Sequence, residues 1–530
     1  MTSPFPHPWW TAFSLQGPPP RCLDEWLIID ISNSIRSKPS WKSKLHDPTI
    51  SAKWKSETKE LIVGKTKYPN EIIDYVFQEL DWYIETESKL EGFTIGCDLM
   101  ITSSDTSVLE ILRQKLCSQV SSFATSMPKD FHPNSNDQVV DIVHPSLFPL
   151  QYNITPVRTD SGLAVAKFTD EIGNFKKRVE SYGISRNFQW LPSLLRYNSD
   201  ACRYEFASYI NNLHPKNTDL ISLILEVFNA AIPGLNYVLS AFGSTAYSRV
   251  DVPDGWKAFD PKYEELVDAL DYEDSMYDEK YEALEETKID YLLPIVPKFT
   301  DGPKFDKEVD LAKDFPRLKV IVKLADIELT PEKPSYAGGS WHVEGTINED
   351  IVATVLYYYD VENITESRLL FRTGFEEFNY EQNDALYGKE IFGISDGDSM
   401  VKTLGSVVAK KDRMVIFPNG YQHHVDSFEL QDKSKPGFRK ILCMFLVDPH
   451  NDLVVTTETV SPQQESWWTD NLVEDAEKAE IRKLGDKYPM TLETAKTVRE
   501  ELMKERSANT VEANEDEMGA FGREFSLCEH

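Results

Sequence analysis

Six short runs of β-branched and aromatic residues crowd one stretch of the chain, at residues 318–329, 351–359, 369–372, 406–409, 413–417 and 441–447. Each is bounded by Gly, Pro, Asn or Asp, the residues that end strands and make turns. Six or more short strands punctuated in this way point to an antiparallel jelly roll closed into a barrel. With helical patterning on both sides of it, the expected fold class is α+β.

Residues 1–150 read as a helix-rich region. Ile72, Ile73, Val76, Phe77, Leu80 and Tyr83 recur at helical spacing, as do Val108, Ile111, Leu112, Leu116 and Val120. Ser107-Val-Leu-Glu110 resembles a capping box. Residues 151–302 are mixed, and their amphipathic helix marked by Leu220, Leu223, Ile224, Val227 and Ala231 is expected to close at Ile232-Pro-Gly234. Within them, residues 263–286 form an acidic stretch that reads as a solvated helix face. Residues 303–460 hold the β core. Residues 461–530 are C-terminal helices and a tail: Ser461-Pro-Gln-Gln464 looks like a helix start, residues 491–506 are rich in helix formers, and residues 507–518 are expected to be a mobile polar stretch.

A chain of 530 residues that is 41% apolar and 12% aromatic can bury a large core. Its net charge of −31 excludes a nucleic-acid backbone as partner and disfavours anionic membrane surfaces. No uninterrupted apolar run approaches the roughly 20 residues that span a bilayer, and the first residues do not resemble a signal peptide. Six cysteines without a CxxC pair read as reduced thiols, which places the protein in the cytoplasm or nucleus.

The chemistry is carried by His342-Val-Glu344, by His423 in Phe417-Pro-Asn-Gly-Tyr-Gln-His-His-Val425, and by Arg439 in Gly437-Phe-Arg-Lys-Ile-Leu442. Side chains at i and i+2 share a face of a strand, so His342 and Glu344 can reach one ion while Val343 points away. Gly338-Gly-Ser340 and Gly345 give the backbone room to bring the ligands together. His423 or His424 could supply the third ligand from a neighbouring strand; His423 is favoured, since it would share its face with Val425. Two histidines and a carboxylate on one face of a metal, with the opposite positions open, define a mononuclear iron(II) oxygenase centre. Arg439, on a later strand, offers a planar fork for the distal carboxylate of 2-oxoglutarate. Lys440 could compete as that anchor but should face the other side of the strand. Tyr336, Tyr357 and Tyr359 are candidate hydroxyl donors to 2-oxoglutarate, and Arg368 and Arg372 are candidates for facing substrate. His132, His144, His214 and His450 show no spacing that joins them to a second metal.

At these motifs the chain resembles the fungal DUF4246 family nearly end to end. The resemblance is carried by residues 41–54 (WKSKLHDPTISAKW), 132–150 (HPNSNDQVVDIVHPSLFPL), 188–192, 208–215, 338–345 (GGSWHVEG), 363–372 (NITESRLLFR), 417–428 and 435–449, with the closing Leu527-Cys-Glu-His530 similar too. It implies a core like the double-stranded β-helix of 2-oxoglutarate oxygenases, with His342, Glu344 and His423 as iron ligands and Arg439 as the co-substrate anchor. Where the family has one histidine followed by arginine, this chain has His423-His424, which keeps His424 open as an alternative ligand.

The expected function is iron(II)- and 2-oxoglutarate-dependent oxidation of a C–H bond with dioxygen, on a small-molecule substrate rather than a protein. The alternatives are a non-catalytic cupin-like binding protein, or a metal enzyme of the same fold that does not use 2-oxoglutarate.

Overall fold

The computed structural model describes residues 3–10, 17–169, 171, 183–244, 246–381, 384–470, 472–516 and 519–527. Its strands follow the apolar alternation of the sequence: β1 (Val139–Val143), β2 (Ser193–Asn198), β3 (Arg317–Leu329), β4 (Ser335–Tyr336), β5 (Ile351–Glu362), β6 (Ser367–Gly374), β7 (Val401–Ala409), β8 (Met414–Pro418), β9 (Gln422–Val425), β10 (Phe428–Glu429) and β11 (Gly437–Val447). All their pairings are antiparallel. One large sheet runs in the order Thr94–Ile95, Thr102–Ser104, β8, β5, β11, β3, β2 and Arg203–Phe206, with β1 also pairing with β3. This sheet therefore draws strands from both sides of residue 303. A smaller sheet has the order β7, β6, β9, and β4 pairs with β10.

The two main sheets enclose a cavity of about 870 Å³, lined by Lys323, Ala325 and Ile327 of β3, Leu356 and Tyr358 of β5, and Ile441 and Cys443 of β11 on one side. Leu369 of β6 and His423 and Val425 of β9 line the other. Residues at i and i+2 on each strand thus face inward, as the pleat requires. On β5 the whole run Ile351–Tyr359 is buried, because its outer face is covered by helices.

Those helices include α1 (Pro69–Glu87), α2 (Glu110–Thr125) and α3 (Thr218–Phe242), with α4 (Leu492–Glu515) near the C-terminus. Helices α1 and α2 bury the stripes marked by Val76, Leu80, Leu116 and Val120. The expected capping box is absent: α2 begins after Leu109, which makes no side-chain cap. Helix α3 does not close at Pro233 but continues through it. Packing outweighs the lost backbone bond there. A Cβ on Gly234 would lie 2.7 Å from Ile416 and 2.8 Å from Phe93, so this glycine lets the helix press directly against the sheet.

Among the described residues, α3 is the one helix long and apolar enough to cross a membrane by length and composition. The linear sequence hides this because Glu226, Asn229 and Asn236 interrupt the run. Wound into a helix, Leu220, Ile224, Val227, Phe228, Leu235 and Val238 are buried in the core instead.

A second departure lies at α4. Composition marks residues 507–518 as mobile, yet the helix continues to Glu515. Tertiary bonds replace the missing apolar surface: Arg506 pairs with Glu349 at 2.7 Å, and the Asn514 Oδ1 accepts from Gln422 at 2.9 Å and from Arg372 at 3.1 Å.

On the outer face of β3, Asp326 is buried, accepts a hydrogen bond from the Tyr359 hydroxyl at 3.0 Å, and lies 3.7 Å from Lys440. Burial pushes its carboxyl up to about 6, against the pull of Lys440. The folded state thus holds this proton more tightly than the unfolded chain, and stability falls as pH rises from about 4 through 6. Asp326→Asn removes the buried charge and keeps an acceptor for Tyr359. Urea denaturation should show the variant more stable than the parent by up to about 2 kcal/mol at pH 7.5 and equal to it at pH 4.

Candidate metal centre

Between β4 and β5 the chain runs beside β9, and glycine permits the approach. Gly338 has φ +100°, and a Cβ there would sit 2.9 Å from the Val425 carbonyl oxygen. The Gly339 N–H donates to that carbonyl at 2.9 Å. Three residues on, His342 and His423 exchange both backbone hydrogen bonds, at 3.2 and 3.0 Å. Residues paired in this way project side chains to the same face, and the two imidazole centroids are 4.4 Å apart. Glu344 Oε1 lies 3.8 Å from His342 Nε2 and 3.6 Å from His423 Nε2. All three donor atoms fall within 4.8 Å of one another.

The surroundings set which nitrogen is free. His342 Nδ1 is 2.8 Å from the Ser340 carbonyl oxygen, so it carries a proton there and leaves Nε2 as the nitrogen that faces Glu344. His423 is packed edge-on against Phe417, with centroids 4.8 Å apart. Burial, with the neighbouring His342, pulls it down to about 4, so it is neutral at physiological pH. Burial also opposes charge on Glu344, but the two imidazoles and Lys323 outweigh it and hold the carboxyl well below its ordinary range. Burial likewise works against protonated His342, and the Glu344 carboxylate more than offsets it. One carboxylate and two imidazole nitrogens therefore turn donor atoms toward a single point. That hard-and-borderline donor set suits a divalent transition metal such as iron(II).

Asn419 fixes the carboxylate's backbone. Its Oδ1 accepts the Glu344 N–H at 2.9 Å, and its Nδ2 donates to the Glu344 carbonyl at 2.8 Å and to that of Ile351 at 3.1 Å. The sequence shows Asn419 only as part of a turn; nothing local reveals that its amide clamps a segment so distant in the chain.

Arg439 lines the cavity and is 2% exposed, which makes it one of the largest fully buried side chains. Its Nη1 donates to Ser367 Oγ at 2.9 Å, its Nε is buried without a partner, and the guanidinium lies 5.5 Å from the ring centres of Tyr358 and Phe428. Among the described residues no carboxylate pairs with it. Tyr336 also lines the cavity, packed against Phe428.

Tyr357 and Tyr359 point out of the cavity. The Tyr357 hydroxyl donates to Asp412 at 3.4 Å and the Tyr359 hydroxyl to Asp326, while Tyr358 between them faces in. Three consecutive tyrosines give no clue to phase; the pleat decides it. His424 turns away from Glu344, with Nδ1 3.0 Å from the Val425 carbonyl oxygen and its ring edge-on to Trp341 at 4.2 Å. Lys440 faces Asp326, opposite Arg439, and Arg368 pairs with Glu366 at 2.6 Å, whereas Arg372 lines the cavity. Lys323 and Ser367 join the site without a sequence motif to announce them.

His132, Asp141 and His144 form a second group whose donor atoms also lie within 4.8 Å of one another, although their spacing predicts no such meeting. Strand β1 brings Asp141 beside His132, whose Nδ1 is 3.0 Å from Asp141 Oδ2, and Arg499 approaches the same carboxylate at 3.5 Å. The Ser146 N–H donates to His144 Nδ1 at 3.2 Å, and burial pulls His144 down to about 3. The ring is then neutral with its proton on Nε2, a donor rather than a lone pair. This group is built for hydrogen bonding, in contrast to His342 and His423.

Helices packed around antiparallel sheets, with two histidines and a carboxylate meeting in an internal cavity, define a mixed α/β protein with a candidate metal site. The chain belongs to the family described as "Protein of unknown function (DUF4246)", which it matches over residues 70–471, and it matches that family's N-terminal domain over residues 1–57. No curated protein matches it. Its similarities to solved structures are partial. They include the Fe(II)/α-ketoglutarate-dependent dioxygenase TqaL (12% identity, 33% of this chain and 53% of that one, TM-score 0.16). They also include IDO from Bacillus thuringiensis (13% identity, 25% and 46%, TM-score 0.17). A third is a prolyl hydroxylase from Trichoplax adhaerens in complex with a hypoxia inducible factor peptide fragment (12% identity, 34% and 60%, TM-score 0.13). The chain spans about half the length of these three structures.

The geometry separates His423 from His424. Calorimetric titration with iron(II) under anaerobic conditions should show His424→Ala binding like the parent. His423→Ala should lose more than the about 10–100-fold that an outer partner costs, and Asn419→Ala should fall within that range.

Proposed function

We propose that this protein is an iron(II)- and 2-oxoglutarate-dependent oxygenase acting on a small molecule, with its β core a double-stranded β-helix. The strand order β8-β5-β11-β3 facing β7-β6-β9 supports that reading of the core. The observation that carries the function is Arg439: a buried guanidinium without an acidic partner among the described residues, opening on the same cavity as the three donor atoms. A cation left unpaired in a protein interior is costly, and a bound carboxylate offsets that cost.

In this reading His342, Glu344 and His423 hold the metal, and Arg439 with Ser367 holds the distal carboxylate of 2-oxoglutarate. The metal, 2-oxoglutarate and dioxygen together supply oxidation of an unreactive C–H bond, with loss of carbon dioxide and formation of succinate. The chain's own part is position and exclusion. The His342–His423 backbone pair and the Asn419 clamp fix the ligands, and Tyr336 and Tyr358 wall the co-substrate pocket. Helix α4 roofs the cavity, lining it with Met503, Arg506 and Asn514. The unpaired Cys22, Cys97, Cys117, Cys202 and Cys443 fit a reducing compartment such as the cytoplasm.

Anaerobic addition of 2-oxoglutarate to the iron(II)-loaded protein should produce a metal-to-ligand charge-transfer band. In Arg439→Met the 2-oxoglutarate Kd should rise at least about 30-fold, on the scale of losing one partner of a buried charge pair. Iron(II) affinity should stay unchanged. A band and a Kd indifferent to Arg439 would instead mark a metal enzyme that does not use this co-substrate, and a protein binding neither ligand would be a scaffold.

A further inference from the structure

One polar group in the cavity wall takes no part in the centre proposed above. His132, on the segment before β1, and His144, just after β1, both line the cavity that holds the three donor atoms. Their ring centroids are 5.2 Å apart. Asp141 is buried behind them, and one nitrogen of each ring lies within 4.8 Å of its carboxylate.

Each ring commits one nitrogen to the protein. His132 Nδ1 is 3.0 Å from Asp141 Oδ2 and 3.2 Å from Oδ1, and His144 Nδ1 accepts the Ser146 N–H at 3.2 Å. These bonds set the two rings in opposite senses. Burial opposes charge on Asp141, but the imidazoles and Lys323 outweigh it and keep it a carboxylate, which can only accept. His132 therefore carries a proton on Nδ1, and its neutral ring has a lone pair at Nε2. His144 carries its proton on Nε2 instead, as the bond from Ser146 requires. With each Nδ1 turned into the protein, it is the Nε2 edge that meets the cavity. Neither Nε2 has a hydrogen-bond partner among the described residues, so an acceptor and a donor stand side by side in the wall.

That pairing discriminates by chemistry. A carboxylate can accept from His144 but meets a lone pair at His132, with Asp141 behind it. An ammonium can donate to His132 but faces the N–H of His144 and the cation of Lys323. A hydroxyl answers both, accepting the His144 proton and donating its own to His132. The group also shares its region of the cavity with the centre, because Lys323 feels the charge of both Glu344 and Asp141 and keeps its proton through them despite burial.

Resting on the oxygenase reading, we propose that the primary substrate carries a hydroxyl group that His144 and His132 bind between them, which orients it toward the three donor atoms. Asp141 is a positioning residue here, since it fixes the His132 tautomer. The His132–Asp141–His144 group thereby has a use that requires no second metal.

Four probes with one skeleton test this: 3-phenylpropanol, its methyl ether, 3-phenylpropionate and 3-phenylpropylamine. They are titrated calorimetrically into the full chain at pH 8.5, where free imidazole is neutral, with and without iron(II) and 2-oxoglutarate under anaerobic conditions. The alcohol should bind about tenfold tighter than the ether, which accepts but cannot donate, and about tenfold tighter than either charged probe. In nitrogen NMR of the protein labelled at its histidines, the alcohol should move the Nε2 resonances of both rings, and the ether that of His144 alone. His132→Phe should level the alcohol with the ether, whereas His144→Gln, which keeps an N–H donor, should retain the preference. The iron(II) and 2-oxoglutarate Kd should stay within about twofold of the parent in both variants, which a general loss of fold would not allow. Equal binding of alcohol and ether by the parent overturns the proposal, as does an alcohol that does not bind or a preference that survives in His132→Phe. Should either variant fail to fold, the parent's preference and its resonance shifts decide alone. If the parent binds no 2-oxoglutarate, the function proposed above fails, while an alcohol preference that vanishes in His132→Phe still locates the hydroxyl subsite.

Discussion

Two backbone hydrogen bonds between His342 and His423 hold the centre together. They are the point where the segment after β4 meets β9, and they fix the side-chain phase of both strands at once. A slip of one residue would turn Val343 and His424 inward and both imidazoles out. Everything near this pair resists such a slip. Gly338 admits the Val425 carbonyl, Trp341 packs on the outer His424, and Phe417 backs His423 from the neighbouring strand. Three donor atoms within 4.8 Å are therefore a consequence of register rather than of side-chain flexibility.

The ligand segment is also anchored to the rest of the molecule through Glu349. Its carboxylate accepts from the Thr346 and Trp190 N–H groups at 2.7 and 2.6 Å and pairs with Arg506. A fully buried acid would be costly alone, but with several donors and a cation its burial is offset. Through it the loop behind Glu344, the strand region around Trp190 and helix α4 become one unit. Near the other end of α4, Asn514 reaches Gln422, the neighbour of His423. The helix that roofs the cavity thus bonds to both segments that carry the candidate ligands.

What was legible in the sequence follows from what is local. Strand positions, the HxE pair and the in-out alternation that sets Arg439 against Lys440 all obey period-two logic, which needs no tertiary information. Helices α1 and α2 were legible for the same reason. Three features were not. Pro233 reads as a helix end, yet the helix continues because Gly234 lets Phe93 and Ile416 pack against it. The end of α4 reads as mobile because its ordering comes from Arg372, Gln422 and Glu349 rather than from its own apolar content. Tyr357 and Tyr358 cannot be told apart by composition, since every residue from Ile351 to Tyr359 is buried on one face or the other.

Charge shows the same division between local and global information. A net −31 describes the solvent-facing surface and governs solubility and long-range steering. It does not describe an interior where cations outnumber the single lining carboxylate. Fields inside the cavity are dominated by the few groups that line it, because water and salt screen the many charges on the surface. In the oxygenase proposed above, α4 and the two sheets would limit by size what reaches the three donor atoms.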